Sequence, residues 1–166
     1  MSEATTRSSR WLAFAPDTAG AIYGTIAAMA VIAGTASSDS HAKPLVLTVA
    51  TLSVFWLAHV YAQALSHHLR GVRRLQWSVV REAMIEERPL LEGPLPLLIV
   101  LAVGALGVID NHLAIRVALW LGVAQLLTWG MLYARRQRWR WVTAVTAGVV
   151  NAVFGLLIVL LEVVIH

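Results

Sequence analysis

Five long apolar stretches, separated by short polar segments, dominate the 166-residue sequence. A helix needs about 20 apolar residues to cross the hydrocarbon core of a bilayer, where each backbone amide must find its partner within the chain. Only 13% of the residues are charged, against roughly 25% in soluble domains. The sequence therefore predicts an all-α, polytopic transmembrane helical bundle within residues 17–166. Its five spans are expected at about residues 17–37, 44–69, 93–109, 113–134 and 141–165.

The basic residues orient this bundle. Two arginines precede the first stretch, five lie between the second and third stretches, and four lie between the fourth and fifth. The other connections and helix ends carry only Lys43 and Arg116. Cytoplasmic segments of membrane proteins carry an excess of Lys and Arg. We therefore expect the amino terminus, with a polar tail over residues 1–16, in the cytoplasm and the carboxyl terminus outside.

The first stretch has a second interpretation as a cleaved signal peptide. Arg7 and Arg10 precede an apolar run that ends in small residues, as in such peptides. The run is longer than the usual ~7–15 residues, however, and Pro16 and Asp17 separate it from the arginines. We therefore expect a retained membrane anchor. Cleavage would leave four spans in the same orientation.

The loop over residues 70–91 has an amphipathic pattern, and Pro89 is expected to end its helix. It predicts an interfacial helix on the inner leaflet with Trp77 at headgroup depth, or a helix packed under the bundle. Its arginines should attract anionic lipids. No feature of the sequence requires nucleic acid as a partner.

Small residues recur every four positions in three of the predicted helices, which allows close approach between helix backbones in lipid. One interpretation is packing within the chain, and the other is a homo-oligomer formed through the first helix. The helix-packing residues are Gly20, Gly24, Ala118, Gly122, Ala144 and Gly148.

Four polar side chains interrupt the apolar stretches: His59, Gln63, Gln125 and Asn151. Counting along the helices places His59, Gln125 and Asn151 near one level in the middle of the bilayer. Such side chains usually face the bundle interior and pair, so we expect a neutral His59 bonded to Gln125, Asn151 or water. They are either interhelical hydrogen bonds or a proton or solute path in which His59 titrates. Haem or metal ligation by His59 would require a dimer.

Loop ends predicted at the outer surface carry imidazole and carboxylate groups, which can bind transition metals. They are weak candidates for a metal site, because none of them forms a closely spaced pair: His41, Asp110, His112, Glu162 and His166. Asp110 or Asn111 is also expected to cap the fourth helix.

The chain contains no cysteine and none of the common catalytic motifs. We therefore expect a protein that is not an enzyme and needs no cofactor. A non-enzymatic membrane component or accessory subunit is the leading hypothesis. A small proton or solute conduit around His59 and an outer-face metal-binding protein are the alternatives.

Several segments resemble a family of small, uncharacterised integral membrane proteins of actinobacteria. They are "AIYGT" at 21–25, "VFWLAHVYAQAL" at 54–65, "LLEGPLPLLIVLAVGALGV" at 90–108 and "LGVAQLLTWG" at 121–130. The resemblance implies a multi-pass protein of a bacterial plasma membrane. It implies no catalytic or binding residue.

Overall fold

A computed structural model of the chain describes residues 15–38, 40–69, 77–137 and 140–165, and it has no β-strand in these ranges. The all-α prediction is confirmed. The polar tail before residue 15, residues 70–76 and His166 lie outside the described ranges. The described helices are α1 (Ala15–Gly34), α2 (Lys43–Leu69), α3 (Trp77–Glu86), α4 (Arg88–Glu92), α5 (Leu95–Ala105), α6 (Asn111–Arg136) and α7 (Trp141–Ile165).

Three of the described helices, α2, α6 and α7, are long and apolar enough to cross a membrane. The number rises to four if α3–α4 and α5, which are bent by 57° at a short break, form one span. Helix α1 is a shorter apolar helix over Ala19–Gly34. The chain therefore has the helices of an integral membrane protein.

The helix expected at about residues 93–109 is shorter than expected. Helix α5 has only 11 residues, which rise about 16 Å, roughly half of the hydrocarbon core. Pro94 and Pro96 cannot donate a helical hydrogen bond, so the helix breaks before α5. Its far end turns at Gly107, whose φ of 73° suits glycine.

The helix predicted in the 70–91 loop ends close to Pro89, as expected, and a second short helix follows it. Helix α3 ends at Glu86, and Pro89 lies in the first turn of α4. A proline costs little there, because the first amides of a helix have no helical partner. Val79 and Ala83 of α3 are buried and α3 packs on α2, while Trp77 is 73% exposed. The helix thus packs on the bundle and also presents Trp77 outward.

Helix α1 lies in the middle of the bundle and contacts α2, α4, α6 and α7. Half of its 20 residues have small side chains: seven are alanines and three are glycines. Small side chains let neighbouring helices approach from several directions. Met29 and Ile32 of α1 are completely buried, so this helix supplies much of the core.

Helix α1 packs directly against the backbone of α4. A Cβ atom added to Gly24 would overlap the carbonyl oxygen of Leu90, and one added to Gly20 would lie 3.3 Å from the Leu90 nitrogen. The predicted Gly20–Gly24 stripe therefore packs against the backbone of α4. It is covered within the chain and is not open to a second copy.

The other predicted packing residues lie between α1, α6 and α7. A Cβ atom on Gly122 would lie 2.5 Å from Sδ of Met29, and one on Gly148 would lie 2.8 Å from the carbonyl oxygen of Leu127. Ala118 and Ala144 are completely buried. The hairpin of α6 and α7 thus packs with almost no space between its backbones.

The α1–α2 and α5–α6 connections meet at one end of the bundle. Asn111 Nδ2 donates to the carbonyl oxygen of Ser38 at 3.4 Å. Asp110 accepts a hydrogen bond from the Leu113 amide at 3.1 Å and is the N-cap of α6, so that prediction is confirmed.

We predict that Gly24→Ala destabilises the fold by about 1–3 kcal/mol or more, since the new methyl group meets backbone atoms that cannot move aside. Denaturant titration of the purified protein in mixed micelles, followed by circular dichroism, measures the loss.

Gly34→Ala is the matched control, because it lies in the same helix and a Cβ atom there has no neighbour within 4 Å. It should leave stability unchanged or slightly raised. Equal stability of the two variants would contradict the close contact between α1 and α4.

Candidate functional site

The break between α4 and α5 is the most irregular backbone in the apolar part of the bundle. The amides of Leu97 and Leu98 both donate to the Pro94 carbonyl, so the Gly93 carbonyl lacks its usual helical partner. Gln125 of α6 donates its side-chain amide to this carbonyl. A glutamine from the neighbouring helix thus satisfies the acceptor that the prolines release.

Helix α1 covers the same break from the other side. Gly93 and Pro94 are buried, and a Cβ atom on Gly93 would lie 2.6 Å from the carbonyl oxygen of Ala21. Irregular backbone at membrane depth is tolerated only where protein buries it or where it lines a watery cavity. Here the packing of α1 provides the burial.

Three buried side-chain atoms have no hydrogen-bond partner among the described residues: Trp56 Nε1, Gln125 Oε1 and Trp129 Nε1. Trp129 follows Gln125 by one turn of α6. An unpaired buried polar atom costs free energy. The described interior therefore contains three buried polar atoms whose hydrogen-bonding capacity is unused.

Gln63 has a separate partner at the junction of α3 and α4. Its Nε2 donates to Oε1 of Glu87 at 3.3 Å, and both side chains are partly buried. Glu87 is the residue between the two helices. Gln63 therefore ties α2 to this junction.

His59 is bonded within its own helix. Its Nδ1 lies 2.9 Å from the carbonyl oxygen of Phe55, one turn earlier, and its ring lies 5.6 Å from the Tyr23 ring. Because a carbonyl only accepts, Nδ1 carries a proton in this contact, and in the neutral tautomer this leaves Nε2 as an acceptor. The expected bond from His59 to Gln125 or Asn151 is not formed, and Gln125 donates to Gly93 instead. A bond from His59 to water, the third expected partner, stays a prediction.

Asn151 of α7 faces α6. A Cβ atom added to Gly130 would lie 2.5 Å from Asn151 Nδ2, so the glycine leaves the space that the amide occupies. The four polar candidates thus lie in four different contacts. The described side chains do not bring them together in one cluster.

Four of the five outer-rim metal candidates lie in the described ranges, and these four do not form a metal site; His166 lies outside those ranges. Among the described residues, no group of three His, Asp or Glu side chains could hold a metal ion. Asp110 caps α6, and His41 and His112 are exposed. Glu162 is half-buried.

Exposed arginines lie on the connections predicted to be cytoplasmic: Arg81, Arg88, Arg135 and Arg140. The Arg135 guanidinium lies 5.0 Å from the centre of the Trp141 ring. This distance is typical of a cation–π contact. It joins the adjacent ends of α6 and α7.

Sequence reasoning missed Gly93, Gly130 and Glu87. The signal for Gly93 was present in the Gly93-Pro94-Leu95-Pro96 order, which breaks a helix and frees carbonyls. Gly130 and Glu87 had no comparable signal, because their roles depend on the partner that the fold places opposite them.

Comparisons of the chain with protein families, with curated proteins and with solved structures found no match. The contacts described above are therefore the basis for a functional assignment.

We predict that Gln125→Met lowers stability by about 1 kcal/mol. An interhelical hydrogen bond in a membrane contributes about 0.6 kcal/mol on average, and a bare buried carbonyl adds a cost. The same micelle titration measures the change.

Thr128→Val on the same helix is the control, because Thr128 is exposed and its hydroxyl bonds only to Ala124 of its own helix. It should change stability by a few tenths of a kcal/mol at most. A Gln125→Met protein as stable as the wild type would show that this bond does not hold the break.

Proposed function

We propose that this chain is a five-span protein of a bacterial plasma membrane and acts there as a non-enzymatic component or accessory subunit. One observation carries the functional part of the proposal. Each of the four polar candidates in the apolar helices has a separate neighbour: Phe55 for His59, Glu87 for Gln63, Gly93 for Gln125 and Gly130 for Asn151. A conduit needs a continuous polar track, and these contacts are separate.

The five-span threading has three supports. Helix α1 is apolar over Ala19–Gly34, a stretch that rises about 24 Å and covers most of the hydrocarbon thickness. Helix α4, whose backbone packs on α1, adds five residues to the α5 crossing before α5 begins. The bond from Asn111 to Ser38 keeps the two predicted outer connections together.

The orientation rests on the basic residues, which favour the cytoplasmic side. The exposed arginines there would meet anionic lipid headgroups, each contributing about 1 kcal/mol near the surface. Trp77 and Trp141 are 73% and 57% exposed, as suits aromatic residues at headgroup depth. The bacterial membrane itself is an expectation from the actinobacterial resemblance.

Cysteine labelling tests the threading, because the chain has no cysteine of its own. Each of four exposed connection or interfacial positions receives one cysteine: Ser40, Ser78, Leu106 or Gln137. An impermeant maleimide should label Ser40→Cys and Leu106→Cys in intact cells. Ser78→Cys and Gln137→Cys should react only after permeabilisation. Labelling of Ser78→Cys and Ser40→Cys from the same side would overturn the threading.

A flux assay tests the functional part. Proteoliposomes with an internal pH dye should leak protons at the rate of protein-free liposomes, with wild type and His59→Leu alike. We expect His59→Leu to leave abundance in cells intact or slightly lower. Faster leakage through wild type that His59→Leu abolishes would instead establish the conduit.

A further inference from the structure

An aromatic patch of Tyr23, Phe55 and His59 lies where α1 meets α2 on the outside of the bundle. The Tyr23 ring lies 6.1 Å from the Phe55 ring in an edge-on arrangement and 5.6 Å from the His59 ring. Tyr23 is 49% exposed and Phe55 is 36% exposed. The patch is therefore exposed on the outer surface of the bundle and not covered by the rest of the described chain.

The patch carries one hydrogen-bond acceptor and one donor. The Phe55 carbonyl fixes the His59 proton on Nδ1, which leaves Nε2 as the acceptor. The Tyr23 hydroxyl is the donor. Within the described part of the chain, neither of these two atoms makes a hydrogen bond. Hydrocarbon tails offer them no partner, so in a bilayer both atoms remain costly until something polar covers them.

Both groups lie at similar depth. Counting about 1.5 Å per residue places Tyr23 about 12 Å from the start of α1 and His59 about 15 Å from the end of α2. Tyr23 contacts both Phe55 and His59, which are one turn apart on α2. A two-fold axis along the membrane normal brings equal depths of two copies together.

We infer that a second copy of this chain covers the aromatic patch in a two-fold dimer. The Tyr23 hydroxyl of each copy donates to His59 Nε2 of the other, so one interface satisfies all four atoms. The patch is self-complementary, as a two-fold interface requires. The inference rests on the proposed threading, which places α1 and α2 in the bilayer.

Helix α1 allows the close approach that this dimer needs. Its outward stripe beside Tyr23 consists of exposed small residues: Ala19, Ala30 and Gly34. A Cβ atom on Gly34 would meet nothing within 4 Å. This stripe is distinct from Gly20 and Gly24, which α4 covers.

A double-mutant cycle tests the paired hydrogen bonds. Energy transfer between donor- and acceptor-labelled Ser40→Cys proteins, diluted in liposomes, gives the dimer dissociation constant. Tyr23→Phe and His59→Phe each remove both symmetric hydrogen bonds. Two bonds of about 0.6 kcal/mol each correspond to a dissociation constant about eight-fold higher. The double variant should also raise it about eight-fold, because the same bonds are lost. If the two residues acted independently, the double variant would raise the dissociation constant about sixty-fold. That result, or no change in either single variant, would overturn the pairing.

Oxidative cross-linking tests the face. Ala30→Cys on the outward stripe should form a disulfide-linked dimer in membranes. Val153→Cys should not, although it is also exposed, on α7. Equal cross-linking of both, or a monomer at all lipid ratios, would overturn the inference. The inference would also be overturned if the protein were a monomer and a lipid-soluble ligand co-purified with it only when His59 and Tyr23 were both present. If the dimer tests fail but the maleimide labelling pattern is as expected, only the dimer is overturned and the proposed threading stands.

Discussion

The rest of the bundle depends on the backbone contact between α1 and the broken segment that ends α4. Gly24 meets the Leu90 carbonyl and Gly93 meets Ala21, in each case closer than any side chain would allow. This approach is possible only because both surfaces lack a Cβ atom at the contact. It fixes where the chain breaks and covers the freed backbone. It also presents the Gly93 carbonyl to Gln125 on α6. One contact therefore determines the positions of α4, α5 and α6 around α1.

The broken segment accounts for two of the four polar candidates in the apolar helices. A break made by Pro94 and Pro96 releases backbone acceptors that lipid cannot satisfy. Gln125 supplies a donor for one of them, and Gln63 joins the junction before α4 through Glu87. Asn151 instead occupies the space left by Gly130 between α6 and α7, and His59 bonds within its own helix. Mid-membrane polarity is thus weak support for a transport path unless the groups also meet each other.

The sequence predicted the helices well and their contacts poorly, for a definite reason. Apolar length and the Asp110 cap are local properties, so α2, α6 and α7 begin and end close to their expected residues. The break before α5 was also a local property, carried by Gly93, Pro94 and Pro96, and a stricter use of proline would have found it. The pairing of His59 was different. Residue counting gives depth but not the rotation of a helix about its axis, and only tertiary packing sets which side His59 faces.

The composition of α1 connects the interior of the bundle to its surface. A helix this rich in alanine and glycine lets neighbouring helices approach closely, but it covers little of the surface of each neighbour. In α2 and α7, only 17% of the most apolar window is buried, against 33% in α6. The large side chains of these helices must therefore face lipid or another protein. Apolar side chains are satisfied by either, whereas His59 Nε2 and the Tyr23 hydroxyl are satisfied only by a polar partner. In a narrow bundle around a small central helix, exposed polar atoms distinguish an interface from a lipid-facing surface, and hydrophobicity does not.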